Sequence, residues 1–450
     1  MIENIKLENE ITAILNQSVE EEFPQISMVL HTPNEDITID YLTSLDVERD
    51  FEKSLADIIY SSFIMQLGDY ANRLYKNRSR LEATLCIKRK NKQNCVRYKA
   101  LILNVDKNIT SSKLQSLGAD KLNNINVVEV KLQLIPIELI LLKKVEHEGI
   151  YSNVTRDEVI KKSMLYELSK VKLYNEYFKL NYYIYESDFK DKLETVLIPT
   201  GTKIGKIPLY VQEHYGLYNF SANAYFKLDN DINKNLYIWV YPTVDFKRVE
   251  KERNICMVYN TIRTGLSMTE KSYYKNNGQL KLVTDTSEIS GDNYNNLFNI
   301  GKGIEYQKVS DNLQGFKYDI DNNKDISLPN KRVMINNVND GMDFTRNIGL
   351  TDNVGNVNSL LTYNKIAYIQ TVIYNFSGLW GEDPANELIY PGMPIYYIYN
   401  TKNNGINKIM RLPGTIMKQY ISFQILKKTM STVLLLGVKK PILALEEENG

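Results

Sequence analysis

The stretch that decides the fold is Glu387-Leu388-Ile389-Tyr390-Pro391-Gly392-Met393-Pro394-Ile395-Tyr396-Tyr397-Ile398-Tyr399. A strand-like run enters a Pro-Gly turn and a second strand-like run leaves it. Pro391 suits the second position of a type II turn, and Gly392 suits the third, where φ is positive. Two more strand-like runs follow, Thr415 to Leu426 and Ser431 to Val438. The pattern is that of a compact antiparallel barrel with the turn closing one hairpin, not of a catalytic loop.

The rest of the chain sets the frame for that barrel. With 450 residues there is room for roughly two to four domains. Hydrophobic residues make up 43%, enough for buried cores. Lys and Arg number 55 against 54 Asp and Glu, so net charge argues for neither nucleic acid nor membrane. The aromatic set is 32 Tyr with 13 Phe and 2 Trp. Tyr forms strands and carries a polar tip, which suits half-exposed sheets and polar interfaces. Cys86, Cys95 and Cys256 are an odd set without metal spacing. Cys86 and Cys95 could meet across a hairpin, but free thiols are the expectation. The N-terminus lacks a basic segment followed by an apolar core, so no secretory signal is expected, and synthesis and folding in the cytosol are. The most apolar run, Val127 to Val145, is interrupted by Glu129, Lys131, Glu138, Lys143 and Lys144. A membrane span needs ~20 largely uncharged residues, so this run reads as a pair of buried strands broken at Pro136.

Along the chain, Ile37, Ile39 and Tyr41 alternate as in a strand, and Ile58 to Met65 is a second apolar run. Leu67, Tyr70, Ala71, Leu74 and Tyr75 share one helical face after Gly68-Asp69, with Asp69 as a candidate cap. Strands return at Leu81 to Ile87 and Val96 to Val105, joined by the charged hairpin Lys88 to Asn94. Together these predict one small barrel with a helix across it, assigned to residues 1–125. Residues 126–244 form a middle region, part of which could complete a barrel. Its surest helix starts at Thr155-Arg156-Asp157-Glu158, a capping box with Val154 and Val159 placed as a staple. A second helix is expected from Pro208 to Tyr215, stopped by Gly216. Tyr225 to Leu228 and Leu236 to Tyr241 read as a hairpin. Residues 245–358 are polar and irregular; from Thr286 to Asn358 they read as long surface loops with a few short strands, or as an arm that wraps a neighbouring subunit. Residues 359–450 make the second barrel. The predicted class is therefore mainly β with α+β insertions, two tube-like antiparallel β-barrel domains joined by helical and irregular segments.

Candidate chemistry is sparse. His31, His147 and His214 lie far apart, and Glu146-His147-Glu148 reads as a solvated charged turn because no second ligand is spaced for a metal. His214 reads as partly exposed on its short helix. Gly301-Lys302-Gly303 lacks the ending and context of a phosphate loop. A glycosidase pair cannot be singled out among so many carboxylates. Arg73, Lys76, Arg78 and Arg80 cluster with Tyr75. Their default reading is a solvated helix end; a subunit interface is the rival, since Arg and Tyr favour interfaces, with nucleic acid in a channel third. Trp380, in Ser377-Gly378-Leu379-Trp380-Gly381-Glu382, reads first as a plug under a loop and otherwise as the exposed aromatic of a glycan groove.

Three local motifs resemble one family. Phe63 to Tyr70, followed by Leu74 to Leu85 with Arg80-Leu81-Glu82-Ala83-Thr84-Leu85 as its last strand, is similar to the first barrel of the central baseplate hub proteins of contractile-tailed bacteriophages. Ile198-Pro199-Thr200-Gly201-Thr202, Ile207 to Gln212, Gly216 to Asn219 and Leu236 to Pro242 resemble its middle segment. Tyr390-Pro391-Gly392-Met393-Pro394 resembles its second barrel. The order matches over most of the chain, least well at 245–355. The hub part of type VI secretion spike proteins is a related possibility, though those usually carry a fused spike domain.

The resemblance implies a structural ring component that is not an enzyme. Two tube-like barrels per subunit in a homotrimer would present six similar units to a hexameric tail tube and threefold symmetry to a trimeric spike. It implies as partners the tail tube or a tube-initiator ring, the central spike protein and baseplate wedge proteins. DNA would pass only in transit through the lumen. No cofactor, metal or membrane is implied, and the place is the virion baseplate. Two other classes remain: a tail-associated receptor- or glycan-binding module, and a cell-wall-degrading tail enzyme with convergent carboxylates.

Overall fold

The computed structural model describes residues 2–89, 92–106, 126–173, 176–219, 221–229, 235–260, 271–284, 286–290, 304–307, 315–319, 324–328, 333–335, 346–350, 366–379, 387–403 and 406–439. The protein is mainly β, with several sheets. No described helix is long and apolar enough to cross a membrane.

A first lobe is built on the ladder order Leu42–Asp50, Ile58–Gln66, Val127–Pro136, Lys92–Asp106, Glu82–Arg89, Gln25–His31 and Asp36–Ile39. Alternate side chains of all these strands meet in one core, including Leu30, Ile39, Leu45, Phe63, Leu85 and Leu132. A sheet whose strands share one interior must curl. No ladder among the described residues closes the curl into a full barrel. The strand Ile58–Gln66 continues into one irregular helical segment: an α turn at Leu67–Asp69, a π turn at Tyr70–Leu74 and 3-10 turns at Tyr75–Arg80. Leu74 anchors it in the core. Gln66, rather than Asp69, precedes its first helical residue.

The sequence left open where Val127 to Val145 pairs. Its first half is a strand inserted between Ile58–Gln66 and Lys92–Asp106, so it belongs to the first lobe. Its second half is not the expected strand but the helix Ile137–Lys144. Proline precedes the helix, Glu138 lies in its first turn and Lys143 and Lys144 in its last, an arrangement that suits the helix dipole. A short apolar run does not distinguish buried strand from buried helix by periodicity.

A second correction concerns the thiols. Glu82–Arg89 and Lys92–Asp106 form the expected hairpin, and its register sets Cys86 opposite Cys95. Their Cα atoms are 4.1 Å apart and the sulfurs are bonded as a disulfide. Cys256 is free and buried.

The second lobe contains Ile255–Asn260, Lys271–Asn276, Gln279–Thr284, Ile366–Tyr374, Pro394–Asn403 and Thr429–Lys439. Val258, Leu282, Ile369, Ile395, Tyr397 and Leu436 fill its core. Its outer face is covered by an N-terminal helix, Ile2–Gln17, which lay unread within the first predicted domain. Leu7, Ile11 and Ile14 pack on Tyr259, Val283 and Ile398, and the Tyr259 hydroxyl donates to Glu10 at 2.6 Å. Strand Thr286–Ser290 adds to the lobe beside Ile366–Tyr374. Two small sheets follow, one of Ile304–Gln307, Val333–Ile335 and Arg346–Leu350, the other of Gly315–Asp319 and Lys324–Leu328.

The middle region is α+β. The antiparallel pair Glu146–Val154 with Leu193–Lys203 and the sheet of Lys179–Ile184, Asn235–Pro242 and Ala222–Leu228 enclose helices Arg156–Leu168 and Ile207–Tyr215. At the first helix, the Thr155 N–H donates to Glu158 Oε2 at 3.1 Å, as the capping box requires. Gly216 ends the second at φ +69°. The predicted hairpin is present, with Tyr225 opposite Trp239.

One strand, Ile406–Gln424, joins the lobes. Its first half pairs with Pro394–Asn403 in the second lobe. Its last residues pair with Leu42–Asp50, and Ile421 and Phe423 enter the first core with Met430. A register shift between Ile416 and Lys418 marks the passage. Such bulges bend a strand and raise its twist. The C-terminal segment thus belongs to both lobes. At Gly414 the strand has Ile395 on one side and Val438 on the other. A Cβ there would run into the Gly437 carbonyl and the Val438 backbone. Gly414→Val is expected to cost about 1–3 kcal/mol by overpacking. Because the strand is shared, calorimetry should show both lobes losing stability together, and a loss confined to the second lobe would refute the coupling.

Candidate functional site

The joint between the lobes and the middle region is a buried ionic cluster. Arg49, on strand Leu42–Asp50, is fully buried. Its Nε donates to Asp57 Oδ1 at 3.2 Å and its Nη2 to Glu387 Oε2 at 2.7 Å. Its Nη1 donates to Gln419 Oε1 at 2.9 Å and to the Ile389 carbonyl at 3.2 Å. Lys227, from the middle sheet, bridges Asp57 and Glu387. The Tyr225 hydroxyl donates to Asp57 at 2.5 Å. One guanidinium therefore holds the start of strand Ile58–Gln66, the segment before the Pro-Gly turn, and the long shared strand.

Burial opposes the charges, but the opposite charges win. Desolvation works against the Arg49 cation, while Glu387 and Asp57 outweigh it and raise its pKa. Burial would raise Asp57, yet Lys227, Arg49 and the Tyr225 hydroxyl hold it below the ordinary carboxylate value. A buried pair is not by itself a source of stability, but losing one partner strands the other. Arg49→Met should cost about 3–5 kcal/mol in urea unfolding at pH 7. Asp57 has a lowered folded pKa, so its contribution is complete above about pH 4 and is lost as pH falls through the folded value. The wild-type stability should therefore fall on acidification below that pH, and Asp57→Asn should flatten that limb. An unchanged acid limb would remove Asp57 from the account.

The Pro-Gly segment sits beside this cluster. Met393 N–H donates to the Tyr390 carbonyl at 3.2 Å, and Gly392 has φ +71°. That is the geometry of a type II turn. It does not close a hairpin as expected: Glu387 to Tyr390 forms no strand and bends at Leu388 and Ile389, and Pro394–Asn403 pairs parallel with Ile255–Asn260. The turn is instead a wedge between regions. Arg248 Nη1 donates to the Gly392 carbonyl at 2.6 Å. A Cβ on Gly392 would overlap the Tyr241 ring. Tyr241 in turn donates to the Phe51 carbonyl at 2.7 Å. Gly392→Val should lower stability by about 1–3 kcal/mol through strain alone. Limited proteolysis should show the second lobe opening first, and unchanged thermal stability would contradict this packing.

The other anticipated residues lie apart from the cluster. Arg73 is bidentate to Glu35, at 2.8 and 2.6 Å, and Arg78 lies over the Tyr75 ring at 4.3 Å. Tyr75, Arg78 and Arg80 are exposed. With Lys76 also exposed, the segment keeps its aromatic and three of its four cations on the surface. Trp380 and Gly301-Lys302-Gly303 lie outside the described residues.

His147 is not on a solvated turn. Strand alternation points Glu146 and Glu148 outward and buries His147. Its Nδ1 lies 3.0 Å from Glu167 Oε1 and its Nε2 2.8 Å from the Tyr151 hydroxyl, so both ring nitrogens have partners. His31 likewise has partners on both nitrogens, Asp36 and Thr84. His214 is exposed and lies against Tyr210, with the two rings tilted at 38°. No group of potential metal ligands occurs among the described residues. Sequence reasoning missed Arg49 and Glu387 as a pair. A strand interior carrying Arg49 between Val47 and Phe51 was the available signal.

No protein-family model and no curated protein sequence matches the chain. Solved structures similar to it include a tail protein from Neisseria meningitidis MC58, at 9% identity and TM-score 0.45 over 92% of this chain and 96% of that one. The 43 kDa tail protein of prophage MuSo2 from Shewanella oneidensis shares 6% identity at TM-score 0.45, over 91% and 97%. The E. coli c3393 protein, described as a component of the type VI secretion system, shares 9% at TM-score 0.39, over 90% and 76%. At such identities and TM-scores the likeness is too distant to transfer a site, an activity or a partner.

Proposed function

We propose that this chain is a structural hub of a contractile tail baseplate, a trimeric ring that adapts a hexameric tail tube to a trimeric central spike. The observation that carries the reading is the pair of curled β lobes in one chain, fused through strand Ile406–Gln424. Three copies of a two-lobed chain offer six β units on a threefold axis. A fused pair with ionic cross-ties suits a part that bears load between two symmetries. The ordered hub-like motifs in the sequence point the same way. In this reading the tube or its initiator ring and the spike bind opposite faces, wedge proteins bind outside, and DNA passes only in transit. The exposed Tyr75, Arg78 and Arg80 belong to the ring interface. Residues 286–358 act as an arm on a neighbouring subunit. The place of action is the virion, after synthesis in the host cytoplasm.

A density map of the intact tail tests this directly. The expected result is one threefold ring of this chain below the tube, with Arg78 and Arg80 at the contact between copies. A sixfold ring with one chain per position would overturn it. The purified protein should turn over neither host cell wall nor ester and glycoside reporters. A rate abolished by changing one carboxylate would favour the wall-enzyme reading instead.

A further inference from the structure

Glu138 is 4% exposed and stands where the first lobe passes into the middle region. Its helix, Ile137–Lys144, follows directly on the first-lobe strand Val127–Pro136. Its Oε1 accepts from the Leu228 N–H at 3.1 Å, at the end of the middle-region strand Ala222–Leu228. Its Oε2 has no hydrogen-bond partner. This contact ties the helix that leaves the first lobe, whose Leu142 sits in the middle-region core, to strand Ala222–Leu228 through a buried carboxyl group.

The charged groups that act on it are Asp57, from the segment before strand Ile58–Gln66, and Lys227, from the strand it contacts. Behind them lie Arg49 and Glu387. In this cluster Arg49 and Lys227 balance Asp57 and Glu387. A third carboxylate would be left without a cation. Apolar Leu55, Ile137, Leu141 and Leu142 pack in the core on this side. A neutral O–H lacking an acceptor in such a place costs far less than a carboxylate.

We propose that Glu138 is a proton-held latch between the first lobe and the middle region, shut while its carboxyl group keeps a proton and loosened when the proton leaves. The proposal does not depend on the hub reading. Burial, chiefly, with Asp57 adding to it, pushes Glu138 up to about 7 against its own backbone N–H, the Leu228 N–H and Lys227. The sign follows. Once opened to water the group returns toward its ordinary value of 4.5, so the open form holds fewer protons than the closed one between the two values. The opening equilibrium rises with pH across that window, up to tenfold per unit and on the order of a hundredfold in all.

Amide exchange on the full chain between pH 5 and 8, corrected for intrinsic rates, tests the latch at the Leu228 amide and along Ile137–Lys144. The Val159 amide, bonded to the Thr155 carbonyl, serves as an internal reference. Opening at Leu228 should rise with pH in the wild type and be level in Glu138→Gln and Glu138→Met, which remove the charge by different chemistry. A level wild-type profile, or a rise that persists in both variants, would overturn the proposal. Infrared spectra of the wild type add a measurement free of variants. A protonated-carboxyl band should persist at pH 6 and fade toward pH 8, and its absence at pH 6 would also overturn the latch.

Discussion

The Arg49 guanidinium is the point on which the architecture hangs. It is buried in a strand of the first lobe, and its partners come from three other places in the chain. Placing it there is costly unless every donor is used. Nearly all of its hydrogen-bonding capacity is taken by Asp57, Glu387, Gln419 and the Ile389 carbonyl. Planar, forked donation makes Arg, not Lys, fit such a joint. The cluster selects one relative placement of the lobes over sliding alternatives, since any slip would strand a buried charge.

A second tie works in parallel. Arg89, near the tip of the disulfide hairpin, pairs with Glu21 at 2.6 Å, and Glu21 accepts from the Ser377 N–H at 2.8 Å. Burial lowers the Arg89 pKa despite Glu21, so this tie has less electrostatic surplus than the first. The two joints, with the shared strand, give one body in which each lobe is completed by residues distant in sequence.

Local chemistry was legible in the sequence, and long-range chemistry was not. Thr155 and Glu158 mark a helix start because the signal is confined to four residues. Pro391 and Gly392 mark a turn for the same reason. What the turn does was misread, because its hairpin role depended on a partner strand that is not its neighbour in the chain. The run after Pro136 was ambiguous by periodicity alone. Cys86 and Cys95 needed a register before they could be paired. His147 looked solvated between two glutamates because alternation across a strand is visible only once the strand is assigned. Arg49 and Glu387 are separated by 338 positions, and nothing local to either announces the other.

The shared strand has a consequence for how the protein is made. Leu42–Asp50 emerges from the ribosome early, but its partner on one side is the segment Lys418–Gln424. Until the chain has been made as far as Met430, that edge of the first lobe has no strand beside it, and Ile421, Phe423 and Met430 are missing from its core. An unpaired edge is a template for wrong pairing, and contacts of such sequence separation form slowly. The first lobe cannot mature domain by domain as the chain grows. Its completion waits for residues made about 370 positions later, and until then a nascent copy exposes that edge to its neighbours on the same polysome.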